Sequence, residues 1–194
     1  MSSFRIFTES KADIKFLKDY IEEIIDIDIN EEDFDTLGSW SGYKIGGSLK
    51  ASMRQNFDEQ KKTVLIIDAD NDFEARIIEI TRDFQSYNVP ILLYLFPNNS
   101  SSGNLESLLC EIAVERKIIT CFENYEICIN GYETPVIKSK VFAYLDALLP
   151  AKNKKNDSID LIQEKNRNYK NKDHWNLRHD YLNSLRDFFQ NIVS

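Results

Sequence analysis

Cysteine and histidine are scarce in this chain of 194 residues. Cys110, Cys121 and Cys128 are an odd number with no CxxC pair. That argues against a disulfide framework or a zinc site, and suits small apolar packing residues in a reducing cytoplasm. The two histidines, His174 and His179, lie about 140° apart around a helix and cannot form the i,i+4 pair of a metal-binding helix. No apolar run approaches the ~18 residues of a membrane span. The longest, Val89 to Phe96 with one proline inside, has the size of a buried strand. The opening MSSFRIFTESK turns charged at once and does not read as a secretory leader. A phosphate-binding loop is missing too, because Gly46-Gly47 leads into Ser-Leu-Lys rather than GKS or GKT. There is no GxSxG elbow and no Cys/His nucleophile pairing. The expectation is a soluble cytoplasmic protein, with no membrane partner, whose chemistry does not rest on sulfur, imidazole or a Walker loop.

Material for a core is ample: 42% of residues are hydrophobic and 12% aromatic, enough for a single domain. Charge is plentiful and unevenly placed. Against 24 Lys and Arg stand 32 Asp and Glu, a net charge of −8. Residues 151–194 hold nine bases and six acids, a net of +3, so residues 1–150 carry −11. The block Glu22–Asp35 contains eight acids and no base. Such a body is ill suited to tight, unaided nucleic-acid binding. The simplest role of the acidic block is a solvated face.

Hydrophobic periodicity divides the chain into alternating strands and helices. Phe4–Thr8 reads as a strand, followed by a helix from Asp13 to about Ile27 with Ile14, Leu17, Ile21, Ile24 and Ile25 on one face. Either Ser10 or Asp13 could cap it. Residues 28–62 are less regular, with Trp40 and Tyr43 among glycines and a helical stretch from Ser48. Thr63–Asp70 is the clearest strand, four apolar residues ending in acids, as in a parallel strand buried on both faces. A helix over 73–87 follows, with Ile77, Ile78, Ile80 and Phe84 as core candidates. Then come a strand over 90–96, a loop to Gly103, and a helix from Asn104 to Arg116 with Leu105, Leu108, Leu109 and Ile112 inward. A short apolar run after Ile118 and a helix near Val141–Leu149 complete residues 1–150. The pattern predicts an α/β fold with a mostly parallel, Rossmann-like sheet flanked by helices. Residues 151–172 read as a polar basic linker, and 173–194 as a C-terminal helix docking back on the domain.

Acids at strand ends carry the chemistry, because ligands of open α/β sheets sit outside the carboxyl ends of strands. Glu9 follows the first strand, and Asp68-x-Asp70 closes the clearest one. Residues i and i+2 of a strand share a face, so both Asp carboxylates can approach one pocket, and hard cations favour such oxygens. The order of Phe7-Thr8-Glu9-Ser10-Lys11-Ala12-Asp13 and then Leu65-Ile66-Ile67-Asp68-Ala69-Asp70 resembles the Toprim domain of topoisomerases, bacterial primases and recombination-repair proteins. Phe96-Pro97-Asn98-Asn99, Gly103–Leu109 and the closing Trp175…Leu182…Leu185…Phe188 add a similarity to short, stand-alone bacterial Toprim-like proteins. One departure is Ser10, where the family usually has Gly. The resemblance spans most of residues 4–150. A haloacid-dehalogenase-type phosphatase would want Asp-x-Asp on its first strand, and a receiver domain an acidic pair after it; neither fits.

The resemblance implies a metal centre in which Glu9 is a general acid/base and metal neighbour while Asp68 and Asp70 hold Mg2+ or Mn2+. Asp72 and Glu106 could add outer carboxylates, although first-turn helix charges explain both. Lys138 and Lys140 could approach a phosphate, although two exposed lysines before a helix are the simpler reading. Basic residues from Lys152 to Lys172, with Tyr169 and Trp175, could touch nucleic acid, although a solvated basic linker explains them as well. Two functions follow. One is Mg2+-dependent phosphoryl transfer on nucleic acid, nuclease-like, with an ATPase partner to supply the missing nucleotide motif. The other is a degenerate Toprim-like module with an interaction or regulatory role and no catalysis.

Overall fold

The computed structural model describes residues 3–38, 47–85, 88–148 and 163–193. Trp40 and Tyr43, and the lysines Lys152, Lys154 and Lys155, lie outside the described residues. Four strands, β1 (Phe4–Thr8), β2 (Phe34–Thr36), β3 (Lys62–Asp68) and β4 (Ile91–Phe96), form one sheet in the order β2-β1-β3-β4. Every pairing is parallel. The chain leaves β1 towards β2 on one side and β3 towards β4 on the other, so the connections diverge between β1 and β3. That divergence opens a crevice at the carboxyl ends of these two strands.

The period-two alternation of the strands distributes side chains to two apolar layers. Phe4, Ile6, Val64, Ile66, Tyr94 and Phe96 face one layer. It is closed by α1 (Lys11–Tyr20), α4 (Leu105–Ile112), α6 (Ile137–Leu148) and α7 (Asn183–Val193). Phe7, Leu65, Ile67 and Leu95 face the other, closed by α2 (Gly47–Asp58) and α3 (Phe73–Gln85) through Met53, Ile80 and Phe84. Helix α5 (Arg116–Cys128) lies outside, presenting Ile119 inward. The predicted α/β class, parallel sheet and docked C-terminal helix are all present, the last through buried Leu185, Phe189 and Ile192.

Several local expectations are corrected. The first helix is α-helical only to Tyr20, and Ile21–Ile25 wind into a π-turn that ends at left-handed Asp26. Strand β2 rises inside the acidic block that looked like pure surface. The apolar run after Ile118 belongs to helix α5, whose exposed face carries Cys121 and Cys128, so only Cys110 is a core cysteine. Ile78 is 66% exposed and lies outside the core. The last helix begins at Asn183 rather than Trp175, because Trp175 and Leu177 pack from an irregular segment.

The basic stretch 151–172 is described only from residue 163, and from there it is tied to α1. The Tyr169 N–H donates to Asp19 Oδ2 at 3.0 Å. Lys170 pairs with Glu22 at 2.6 Å and Lys172 with Glu23 at 3.3 Å. The charge segregation of the sequence is thus partly resolved inside the molecule, the basic arm lying on the acidic block. Tyr169 and Trp175 are buried beside the rings of Phe16 and Tyr144, not displayed for stacking.

The loop between β4 and α4 aims the site. Asn98 Oδ1 accepts from the N–H groups of Ser100 and Ser101. Gly103, at φ +135, exchanges two backbone hydrogen bonds with Asp70, of 2.9 and 2.7 Å. A Cβ at Gly103 would stand 2.9 Å from Ser107 Oγ and 3.2 Å from Pro97 Cδ, in a conformation L residues rarely adopt. Gly103→Ala should therefore cost about 1–3 kcal/mol, read as a lowered urea midpoint. An unchanged midpoint would show that the loop tolerates the methyl group.

Candidate functional site

Local sequence chemistry brings four acids to the crevice and a fifth, Asp70, to its rim. Ser10 caps α1, and Asp13 at the third helical position accepts a hydrogen bond at its Oδ2 from the Ser10 N–H at 2.7 Å. This reciprocal cap explains Ser10: the position requires a hydroxyl acceptor, and the Thr8 hydroxyl also donates to its carbonyl. It also buries Asp13 next to Glu9. On the neighbouring strand, Asp68 ends β3 beneath the start of α4, where the Leu105 N–H donates to Asp68 Oδ1 at 3.1 Å. Asn104 caps that helix through Ser107. Glu106, in its first turn, faces the same crevice closely enough to repel both Asp68 and Asp13.

The carboxylates do not behave like ordinary surface acids. Burial, reinforced by repulsion from Asp13, Glu9 and Glu106, pushes Asp68 up to about 9, against the opposing pull of its hydrogen bond to α4. Burial likewise raises Asp13 to about 7 despite two hydrogen bonds from Ser10. Glu9 is raised as well, by burial first, with the Arg76 guanidinium opposing. Desolvation outweighs the helix terminus here, since a helix end supplies only about half a charge while burial removes the whole hydration of an anion.

Arg76 was not anticipated from the sequence. It lies on α3, 8% exposed, and its Nη2 bridges Glu9 Oε1 at 3.3 Å and Asp70 Oδ2 at 2.8 Å. Its Nε donates to the Asp68 carbonyl at 3.1 Å, and Glu79 lies 3.5 Å from Nη1. One turn before Arg76, Asp72 caps α3 by accepting from the Ala75 N–H. Asp70 itself sits at φ +55 with its side chain 55% exposed, held by its backbone exchange with Gly103.

The structure thus brings together Glu9, Asp68 and Glu106, adds Asp13, and turns Asp70 towards Arg76. Asp72 stands apart as a helix cap. Lys138 lies 3.9 Å from Glu106 and also pairs with Glu164, at the edge of the cluster. Lys140 is elsewhere: it pairs with Glu126 on α5 at 2.9 Å and lies over the Phe122 ring. Cavities of about 670 Å³, beside Trp175 and His179, and about 700 Å³, beside Phe57 and Leu92, lie away from the cluster.

The donor set suits a hard divalent cation, being carboxylate oxygen throughout. The packing is a different matter. Among the described residues no three His, Cys, Asp or Glu side chains are grouped so that they could hold a metal ion. A guanidinium stands in for the cation between Glu9 and Asp70. The chain matches no family model, no curated protein and no solved structure among those compared.

The raised acids make stability depend on pH. Between the ordinary value of 3.8 and about 9, folded Asp68 keeps a proton that the unfolded chain has released. The folded state then binds more protons, so unfolding free energy falls as pH rises across that window. In metal-free buffer the melting temperature should decline steadily from mildly acid to mildly alkaline pH. Asp68→Asn, permanently neutral, should flatten that decline. An equal slope in both proteins would contradict the buried carboxyl.

Proposed function

We propose that the protein is a Toprim-like phosphoryl-transfer enzyme acting on nucleic acid with Mg2+ or Mn2+, its reaction centre being the carboxylates at the ends of β1 and β3. One feature carries the reading: Asp68 is half-buried among Asp13, Glu9 and Glu106, and this setting pushes its carboxyl up to about 9. Such a group is short of positive charge, and a cation that displaces its protons would gain more than at a surface acid. The motif order Glu9, then Asp68-x-Asp70, supports the same family.

Asp68 and Glu9 would hold the cation. When bound, it would neutralise the phosphoryl oxygens and orient the attacking group. The chain supplies the rest. Glu9, raised by burial and restrained by Arg76, is the carboxyl placed to take up or release a proton. Asp13 stays fixed by the Ser10 cap and adjusts the charge of the group without leaving α1. Asp70, at the exposed rim, anchors Arg76 and so sets how freely Glu9 is released. The acidic surface, partly covered by Lys170 and Lys172, makes delivery of the nucleic acid by an ATPase partner the natural arrangement.

A second reading, a non-catalytic interaction or regulatory module, is favoured by one specific contact. Arg76 already bridges Glu9 and Asp70, as an internal counter-ion would in a site that no longer takes a metal.

Incubation with labelled single- and double-stranded DNA and RNA in Mn2+ separates the two. The enzyme reading expects cleavage that falls at least about 100-fold in Glu9→Gln and in Asp68→Asn. Absence of cleavage on all four substrates, with wild type and variants alike, would favour the module.

A further inference from the structure

Beyond the carboxylates, one buried charge is left without a partner. Arg167 follows the short turn Glu164–Asn166 and is 1% exposed. Among the described residues, none of its Nε, Nη1 and Nη2 atoms has a hydrogen-bond partner. The hydroxyl of Tyr169, two residues on and fully buried, faces the Arg167 guanidinium and no other hydrogen-bonding group. The guanidinium lies over the face of Phe142, 5.4 Å from the ring centroid, and is the charge felt most strongly by the Tyr169 hydroxyl. The acids closest in effect to that hydroxyl after Arg167 are Glu164 and Glu106. Both are engaged by Lys138, 3.9 Å from Glu106 and in direct contact with Glu164.

Burying a guanidinium with no hydrogen bonds is costly, and a ring face offsets only part of that cost. Folded proteins keep such a group where something neutralises it. The geometry points to a small anion. A guanidinium offers a planar fork of donors matched to oxyanions, and the adjacent hydroxyl provides one donor more. A tetrahedral phosphate has enough oxygens to use both at once, with Lys138 adding positive potential from the rim.

We propose that Arg167 and the Tyr169 hydroxyl form a binding site for a small phosphate-type oxyanion, inorganic phosphate or a terminal phosphomonoester. The site adjoins the carboxylate cluster, since Glu106 acts on Asp68, Asp13 and Tyr169 alike. It does not depend on that cluster being catalytic. Occupation would cover the buried charge and tie the segment carrying Arg167 and Tyr169 to α1 and α6.

The test is a thermal melt and a calorimetric titration in phosphate-free buffer, with inorganic phosphate in one arm and a nucleoside 5′-monophosphate in the other. Wild type should melt higher with added anion and bind it. Tighter binding of inorganic phosphate identifies the free ion as ligand, and tighter binding of the monophosphate identifies an ester. Arg167→Met should weaken binding at least about tenfold while melting no lower than wild type without anion, because it removes an unpaired charge. Tyr169→Phe, which keeps the ring, should weaken binding by a smaller factor and decides the matter if Arg167→Met fails to fold. No binding of either anion by wild type would overturn the site. So would a response to anion that is unchanged in both variants.

Discussion

Everything at the carboxyl edge of this sheet depends on the burial of one carboxyl group. Asp68 ends the central strand β3, and its neighbours are fixed by elements that have no freedom to withdraw. Glu9 is held by the end of β1, Asp13 by the cap of α1, and Glu106 by the first turn of α4. Parallel pairing of β1 with β3 aligns the two strand ends, and the diverging connections leave the gap that these acids share. An exposed cluster of the same composition would be screened by water. Here desolvation leads the shift at Asp68, Asp13 and Glu9, and mutual repulsion adds to it.

The molecule answers that excess of negative charge in two ways. Locally, Arg76 reaches in from α3 to Glu9, Asp70 and the Asp68 carbonyl. At longer range, the segment after residue 163 crosses α1 and lays Lys170 and Lys172 on Glu22 and Glu23. Exposed pairs of this kind contribute roughly 0–1 kcal/mol each, so their importance is register: they direct Tyr169 and Trp175 into the core. The choice between an enzyme and a silent module turns on Arg76, which can serve as a gate to the carboxylates or as their permanent counter-ion.

What could be read from the sequence follows from the range of the forces involved. Thr63–Asp70 announces a buried parallel strand because it is apolar on both faces, whereas the equally apolar Val89–Phe96 forms the edge strand β4 and leaves Leu92 37% exposed. Leu105, Leu108, Leu109 and Ile112 keep helical spacing, and all four are buried. The placement of Glu9 and Asp68 at neighbouring strand ends was legible because position at a strand end is itself a local signal. Arg76 and Asp13 were not, since their roles arise from contacts across 67 residues in one case and from burial by a neighbouring strand in the other. Helix α5 was hidden by its β-favouring Ile118, Ile119, Thr120 and Phe122, whose preference yields to packing against α6. Tyr169 and Arg167 looked like a solvated arm because composition alone does not reveal that a polar segment is pinned by Asp19.

The central claim is that the Asp68 cluster exchanges protons for a divalent cation. Isothermal titration of metal-free protein with Mn2+ near neutral pH, in two buffers of different ionisation enthalpy, measures both binding and proton release. The account predicts that the heats differ between the buffers by an amount corresponding to proton release, and that Asp68→Asn abolishes or sharply weakens the binding. Absence of binding in wild type, or binding without proton release that survives Asp68→Asn, would contradict it.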